Sequence, residues 1–274
     1  MLCITPKQKL ESFVELSAEL SEYLVRSNVD QISRLKLREG RNERAFQDLF
    51  NLTQKSEPDT EIDVFFEGDF SKVHGIGRKM SEGRLEIRGN IGDCVGEEMT
   101  GGTIEVYGNS RDCTARGMSG GRIIVHGDAG DHLGSFCPGS MKGMTGGEVF
   151  VKGSVGEFCG HRMRRGTIVV GGDSGEYLGY EMLAGTIVAC GEIRETIGLN
   201  MVRGTILVLG TTKFESMSHL AKAVQYEPAV IRMLLKYLRS QNLLPEHIEA
   251  SASRFTRYLG DMAMGQRGEV LVVS

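Results

Sequence analysis

The chain has 274 residues, 40% of them hydrophobic, no Trp and a formal charge of -4 at pH 7. That charge argues against a general nucleic-acid binder, which is usually basic, and no apolar run approaches the roughly 20 residues of a membrane span. Lys7, Lys9 and Glu11 stand where a signal peptide needs apolar residues, and six cysteines without CxxC spacing fit a reducing cytoplasm better than a disulfide framework.

Residues 1–60 read as an N-terminal lead-in. Leu10, Phe13, Val14, Leu20 and Leu24 have loosely helical spacing. Leu35 and Leu37 alternate with charged residues, and Glu39-Gly40-Arg41-Asn42 offers a turn before Ala45-Phe46, which predicts a hairpin. The polar run Thr53–Glu61, with Pro58, reads as a linker. Ile62, Val64, Phe66, Gly68 and Asp69 then open a strand pattern that the rest of the chain repeats.

The repeat runs from Met80 to Gly210. Each copy has Met, Gly three residues on, aliphatic residues five and seven on, and Gly nine on. The copies begin at Met80, Met99, Met118, Met144, Met163, Met182 and Met201, with spacings of 19, 19, 26, 19, 19 and 19. Aliphatics two apart share one face of a strand, and Ile and Val suit a buried pleated surface. A 19-residue period has no room for a helix of normal length beside the strand. Self-similarity of this kind marks a solenoid, whose units bury an apolar face only by stacking. The predicted fold is an all-β core: a parallel β-helix-like solenoid of about eight 19-residue coils over residues 61–210, with strands about 4.8 Å apart. Glycine suits the corners because it reaches positive φ freely.

Residues 211–274 leave the repeat as a helical extension. Glu227-Pro228 opens a helix, and Val230, Ile231, Leu234, Leu235 and Leu238 give it one apolar face. Lys236 and Arg239 suit its last turn, and Leu243-Leu244-Pro245 stops it. A second helix is predicted around Ser216–Val224. Gly268, Val270 and Val272 reproduce the strand spacing, so the terminus is predicted to return to the sheet.

Read as columns, the repeat yields the candidate sites. Six residues after each Met stand Glu86, Glu105, Ile124, Phe150, Val169, Val188 and Leu207, an outward stripe that turns from acidic to apolar. Such a stripe must be covered, either by the chain's own C-terminal helices or by another protein. Ile124, Phe150, Val169 and Val188, with Ser135, Phe136 and Lys142 of the insertion, are therefore candidate partner contacts. Two polar columns stand at the corners: Asn90, Asn109, Asp128, Ser154, Asp173 and Glu192, and Asp93, Asp112, Asp131, Glu157, Glu176 and Glu195. They read as acceptors for local backbone N–H groups, as a divalent-cation site, or as a contact for a basic partner. A basic stripe of Arg78, Arg116, Lys142 and His161, thickened by Arg162, Arg164 and Arg165, is either an anion or acidic-partner contact or a solvated face balancing the acidic columns. The cysteines read as core filler, with Cys94 and Cys113 in one column and Cys159 one column away, and no metal-ligand spacing. No nucleophile–base or paired-carboxylate arrangement is present, so no catalytic residues are assigned.

One departure from the period carries a family resemblance. After Gly127-Asp128-Ala129-Gly130-Asp131-His132-Leu133-Gly134 the repeat is broken by Ser135–Gly143 before Met144 resumes it. This interrupted GXGXG repeat, with the preceding "LKLREGRNERAFQDLFNL", resembles the C-subunit family of formylmethanofuran dehydrogenase over roughly residues 30–210. The same repeat class occurs in the C-terminal domain of the glutamate synthase large subunit, but nothing here resembles that enzyme's glutaminase or flavin-binding portions. The resemblance implies a cytoplasmic, non-catalytic scaffold subunit of a hetero-oligomeric formyl-transfer complex; the alternative is a stand-alone ligand-binding β-helix using the basic cluster around Arg162–Arg165. That complex is either the molybdenum or tungsten dehydrogenase or the bacterial formyltransferase/hydrolase complex of formaldehyde oxidation. The tail "RFTRYLGDMAMGQRGEVLV" is more similar to the bacterial versions, and so favours the second. By the same resemblance this chain binds no cofactor, and molybdenum, tungsten or zinc and methanofuran belong to other subunits.

Overall fold

The aliphatic pairs form strands that stack in register at the step of the repeat. The computed structural model describes residues 2–16, 29–54, 63–212, 219–246, 248 and 254–274. In chain order the lead-in contributes β1 (Leu2–Pro6), β2 (Val14–Glu15), α1 (Val29–Arg34), β3 (Lys36–Glu39), β4 (Asn42–Ala45), α2 (Phe46–Leu49) and β5 (Phe50–Gln54). Then come β6 (Val64–Glu67), β7 (Val73–His74), β8 (Arg84–Arg88), β9 (Thr103–Val106), β10 (Arg122–Val125), β11 (Thr145–Val151), β12 (Arg165–Val170), β13 (Thr186–Ala189) and β14 (Thr205–Val208). The last part holds β15 (Ala221–Tyr226), α3 (Ala229–Ser240), β16 (Phe255–Leu259), a 3-10 turn at Met262–Met264 and β17 (Glu269–Val273).

The core is all-β. A 13-stranded sheet runs β15-β16-β17-β14-β13-β12-β11-β10-β9-β8-β6-β1-β5. From β6 to β14 neighbours pair in parallel with like positions opposed, as Leu85 with Ile104, Ile123 with Val149 and Ile187 with Ile206. The side chains five and seven after Met are fully buried, for example Ile104, Val106, Ile168 and Val170. The predicted return of the terminus is found: β17 pairs in parallel with β14, setting Val270 beside Ile206. β1 adds in parallel to β6 at the other end. Each end is then finished by antiparallel strands, β5 on β1 and β16 with β15 on β17. The predicted hairpin is β3–β4, turning at Gly40 and Arg41.

Three local expectations are corrected. Val14 lies in β2, paired with both Glu39 and Val73 rather than in a helix; Leu20 and Leu24 lie outside the described residues. Thr53 and Gln54 continue β5, so the linker read from Thr53 starts later, and 55–62 are not described. Ala221–Val224 belong to β15, where pairing with β16 overrides a weak helical tendency; Ser216–Ser218 lie outside the described residues.

Glycine serves two purposes here. Three after Met it takes positive φ, as Gly102 does at +83°. Nine after Met the need is close approach instead: a Cβ on Gly108 would stand 2.5 Å from the carbonyl oxygen of Gly89 in the preceding repeat.

Helix α3 covers the outer stripe. Pro228 caps its start, and Ile231, Leu235 and Leu238 face inward onto Phe150, Val169, Val188 and Leu207, forming a second apolar core with Phe255 and Leu271. Burying each of these leucines is worth about 1.5–3 kcal/mol. Arg239 holds the chain after the helix by donating to the carbonyls of Leu244 and Pro245, both at 3.2 Å, and of Ile248. The helix stops covering the stripe where the stripe turns polar. There Arg122 Nη2 donates to Glu148 Oε2 at 2.7 Å and to the Tyr237 hydroxyl at 2.8 Å. Beyond it Glu86 pairs with Arg88, and Glu105 with Arg84 and His126.

Candidate functional site

The corner columns are hydrogen-bond ladders between repeats. Asn90 Oδ1 accepts the backbone N–H of Asn109 at 2.9 Å, Asn109 Oδ1 that of Asp128 at 2.8 Å, and Asp128 Oδ1 that of Ser154 at 2.8 Å. Ser154 Oγ and Asp173 Oδ1 continue to Asp173 and Glu192. The second column does the same at Asp112–Asp131 and Asp131–Glu157. The acceptor reading therefore holds for Asn90, Asn109, Asp128, Ser154 and Asp173 of the first column and for Asp112 and Asp131 of the second, with the partner in the next repeat rather than in the same turn. Among the described residues no group of three or more His, Cys, Asp or Glu side chains is placed to hold a metal ion.

Fourteen residues after each Met runs a column with no sequence signature: Cys94, Cys113, His132, Phe158, Tyr177 and Thr196, all left-handed with φ between 54° and 63°. Non-glycine residues enter this region at a cost, and stacking offsets it for the three ring-bearing members. His132 stacks on Phe158 at 5.1 Å and Phe158 on Tyr177 at 4.8 Å. Beside them stand His161 and Tyr180, with Phe136 edge-on to His161 at 4.9 Å.

The insertion joins this aromatic face. Phe136 is half-buried, with the Arg162 guanidinium 5.0 Å from its ring centre. Arg162 Nε donates to Glu181 Oε2 at 2.5 Å, and this bond holds Glu181 below the usual carboxylate range. Burial keeps His161 below its ordinary imidazole value, against the pull of Glu181. The imidazole is thus neutral near pH 7, and its 3.7 Å approach to Glu181 is not an ion pair. Lys142 and Met141 are exposed, Met141 by 70%. Arg164 and Arg165 also reach solvent, so the basic cluster is divided between Arg162, turned to the aromatic face, and these two.

Phe150, Val169 and Val188 offer no surface to a partner, because α3 buries them. Ile124 is half-buried at the rim of the same packing, and Ser135 is buried within the insertion. The exposed apolar surface lies one layer further out, on the other side of α3. Val230 and Met233 are 74% and 71% exposed, and Tyr237 continues their line. Spacing alone assigns Val230 to the buried face; a half-turn of helix separates the two outcomes.

Cys159 and Cys190 behave as core filler, and burial pushes both thiols up to about 12. No helix among the described residues is long and apolar enough to cross a membrane.

A family model described as the GXGXG motif matches residues 63–264, from β6 through the 3-10 turn. The chain belongs to the GXGXG motif family. Among solved structures, this GXGXG chain is similar to a chain of the formyltransferase/hydrolase complex (FhcABCD) from Methylorubrum extorquens, determined with methylofuran. The two share 26% sequence identity over 99% of each chain, with a TM-score of 0.86. No curated protein sequence matches.

Proposed function

We propose that this chain is the GXGXG subunit of a hetero-oligomeric formyltransferase/hydrolase complex acting in formaldehyde oxidation, and that it serves there as a non-catalytic scaffold. The observation that carries the reading is the end-to-end likeness, 99% of both chains at a TM-score of 0.86, to a chain of such a complex. It includes the lead-in and the α3 region, and not the repeat alone. The residues agree: the ladders are satisfied internally, and the one stripe long enough to seat a partner is covered by α3. Formyl transfer, hydrolysis and the methanofuran-type carrier then belong to the other subunits.

We also infer that the repeats coil as a β-helix between a lead-in of residues 1–60 and a C-terminal extension of residues 211–274. A second line of parallel bridges, Val155 to Ser174 to Ile193 to Thr212, supports coiling because it runs at the same 19-residue step on another side of each repeat. The docking surfaces would be the outer face of α3, through Val230 and Met233 with Arg232 and Lys236 beside them, and the aromatic face with Phe136, Lys142 and Arg162. Apolar side chains exposed on a helix flanked by cations suit an apolar partner patch with an acidic rim.

Co-purification tests both statements. The tagged endogenous chain should elute in a complex containing formyltransferase-like and metallohydrolase-like subunits; a lone 30.0 kDa monomer would reject the scaffold reading. Val230→Glu with Met233→Glu should release a partner while leaving the isolated chain folded. A fully assembled complex would remove α3 from the interface.

A further inference from the structure

Cys94 and Cys113 are unlike the core cysteines. They occupy successive rungs of the left-handed column, and their backbone N–H groups donate to Asp112 and Asp131 carbonyls, both at 2.8 Å. In-register neighbours lie about 5 Å apart, within the span a disulfide needs. Arg116 Nη1 donates to Cys113 Sγ at 3.6 Å. The neighbouring Cys94 thiol and the Arg116 charge, against burial, pull Cys113 down to about 7, while Cys113 and burial push Cys94 up. Both cysteines are half-exposed, and Cys94 lines a cleft of about 360 Å³ with Phe13, Glu15, Arg38, Arg78, Asp93 and Arg116, in which Arg78 is paired with Glu15 and Glu97 and Arg116 with Glu97.

We propose that Cys94 and Cys113 are a redox-active dithiol, oxidised to an internal disulfide by a low-molecular-weight disulfide that reaches them from the cleft. The Cys113 thiolate, beside Arg116, attacks one sulfur of the incoming disulfide. The reagent's S–S bond breaks, and one thiolate leaves, taking the Cys94 proton. The Cys94 thiolate so formed attacks the Cys113 sulfur of the mixed disulfide, so the second thiolate leaves. Two protein thiols are oxidised, one disulfide is reduced to two thiols, and the reverse exchange restores the pair. Reactivity follows thiolate character and access, and among the described cysteines only this pair joins the two.

Trypsin makes the test direct, because Arg111 lies between the cysteines. The intact chain is treated with oxidised glutathione, alkylated and digested without reductant. The expected product joins peptide 89–111 to peptide 112–116, two hydrogens lighter than the reduced pair. Recovery of the two peptides separately, each alkylated, overturns the proposal. A second sample of Cys94→Ser should carry one glutathionyl group on peptide 112–116, because the resolving sulfur is gone. A peptide 112–116 without that group in this variant overturns Cys113 as the attacking sulfur and the proposal with it.

Discussion

Asp128 Oδ1 accepts the backbone N–H of Ser154 at 2.8 Å across the one step where the period lengthens from 19 to 26 residues. Asp131 Oδ1 does the same for Glu157 at 2.8 Å. The ladder geometry is therefore indifferent to the insertion: the seven extra residues leave the stack after Ser135, whose carbonyl still accepts the Gly117 N–H, and rejoin it at Gly143, which donates to the Arg162 carbonyl. A carboxylate that fixes backbone between repeats is structural, and it tolerates its neighbours' charge because each member spends an oxygen on the next N–H.

Asp128→Ala should lower stability by about 0.5–1.5 kcal/mol, the net worth of an exposed intramolecular hydrogen bond. Asp128→Asn should be close to wild type, since Asn109 occupies the same column and makes the same bond at 2.8 Å. Urea unfolding of both variants distinguishes the bond from the charge. Equal losses in the two would mean that charge, and not the acceptor, matters at this position.

Gly108→Ala should be far worse. Its Cβ would meet the Gly89 carbonyl at 2.5 Å and Asn90 Oδ1 at 2.7 Å, and backbone cannot give way inside a stacked ladder. Overpacking of this kind costs about 1–3 kcal/mol or more. Gly139→Ala, with nothing within 4 Å of its Cβ, should suffer only the strain of φ +86°. Thermal unfolding of the pair measures the difference; a Gly108→Ala protein as stable as Gly139→Ala would show that the repeats can separate at this edge.

The repeat was legible because every requirement of the stack falls on a residue type. Ile and Val fill the inner columns, Met begins each copy, and Gly is the only residue that lets Gly108 approach Gly89. Pro228 and the leucines of α3 were equally plain. The left-handed column is not legible in the sequence, because Cys113, Phe158 and Tyr177 are not residues that announce positive φ; Cys94, Cys113, His132 and Phe158 adopt it alike while donating their backbone N–H to the next repeat. For Phe150, Val169 and Val188 the sequence leaves a partner and the chain's own helix as alternatives, and it is α3 that covers them. An apolar stripe looks the same in either case. Val14 and Lys222 are strand through pairing alone, which periodicity over so few residues does not reveal.

Phe150→Glu should detach α3. The side chain is buried against that helix, with the Arg122 guanidinium 5.7 Å from its ring, and a carboxylate there loses the packing and faces an apolar helix. Loss of a buried Phe costs about 3–5 kcal/mol. Limited trypsin digestion should then cut faster at Arg232 and Lys236, while Met233→Ala, on the exposed side, should leave the rate unchanged. Unaltered cleavage in Phe150→Glu would place the helix's anchorage elsewhere, at Arg122 and Tyr237.

Acidification should weaken the aromatic face in two separate windows. His161 is held below its ordinary value by burial, so the unfolded chain takes up its proton first as pH falls. Its contribution is complete above the unfolded value of about 6.5 and is lost as pH drops from there through the folded value. Glu181, held down by Arg162, contributes fully above its unfolded value of about 4.5 and loses that contribution only at lower pH. Unfolding midpoints recorded from about pH 8 to about pH 5.5 should therefore fall in the lower part of that range. His161→Phe, which keeps a ring against Phe136 and Tyr180, should flatten the curve there and leave the more acidic loss in place. If the wild-type and His161→Phe curves run parallel, the imidazole is not the group that titrates.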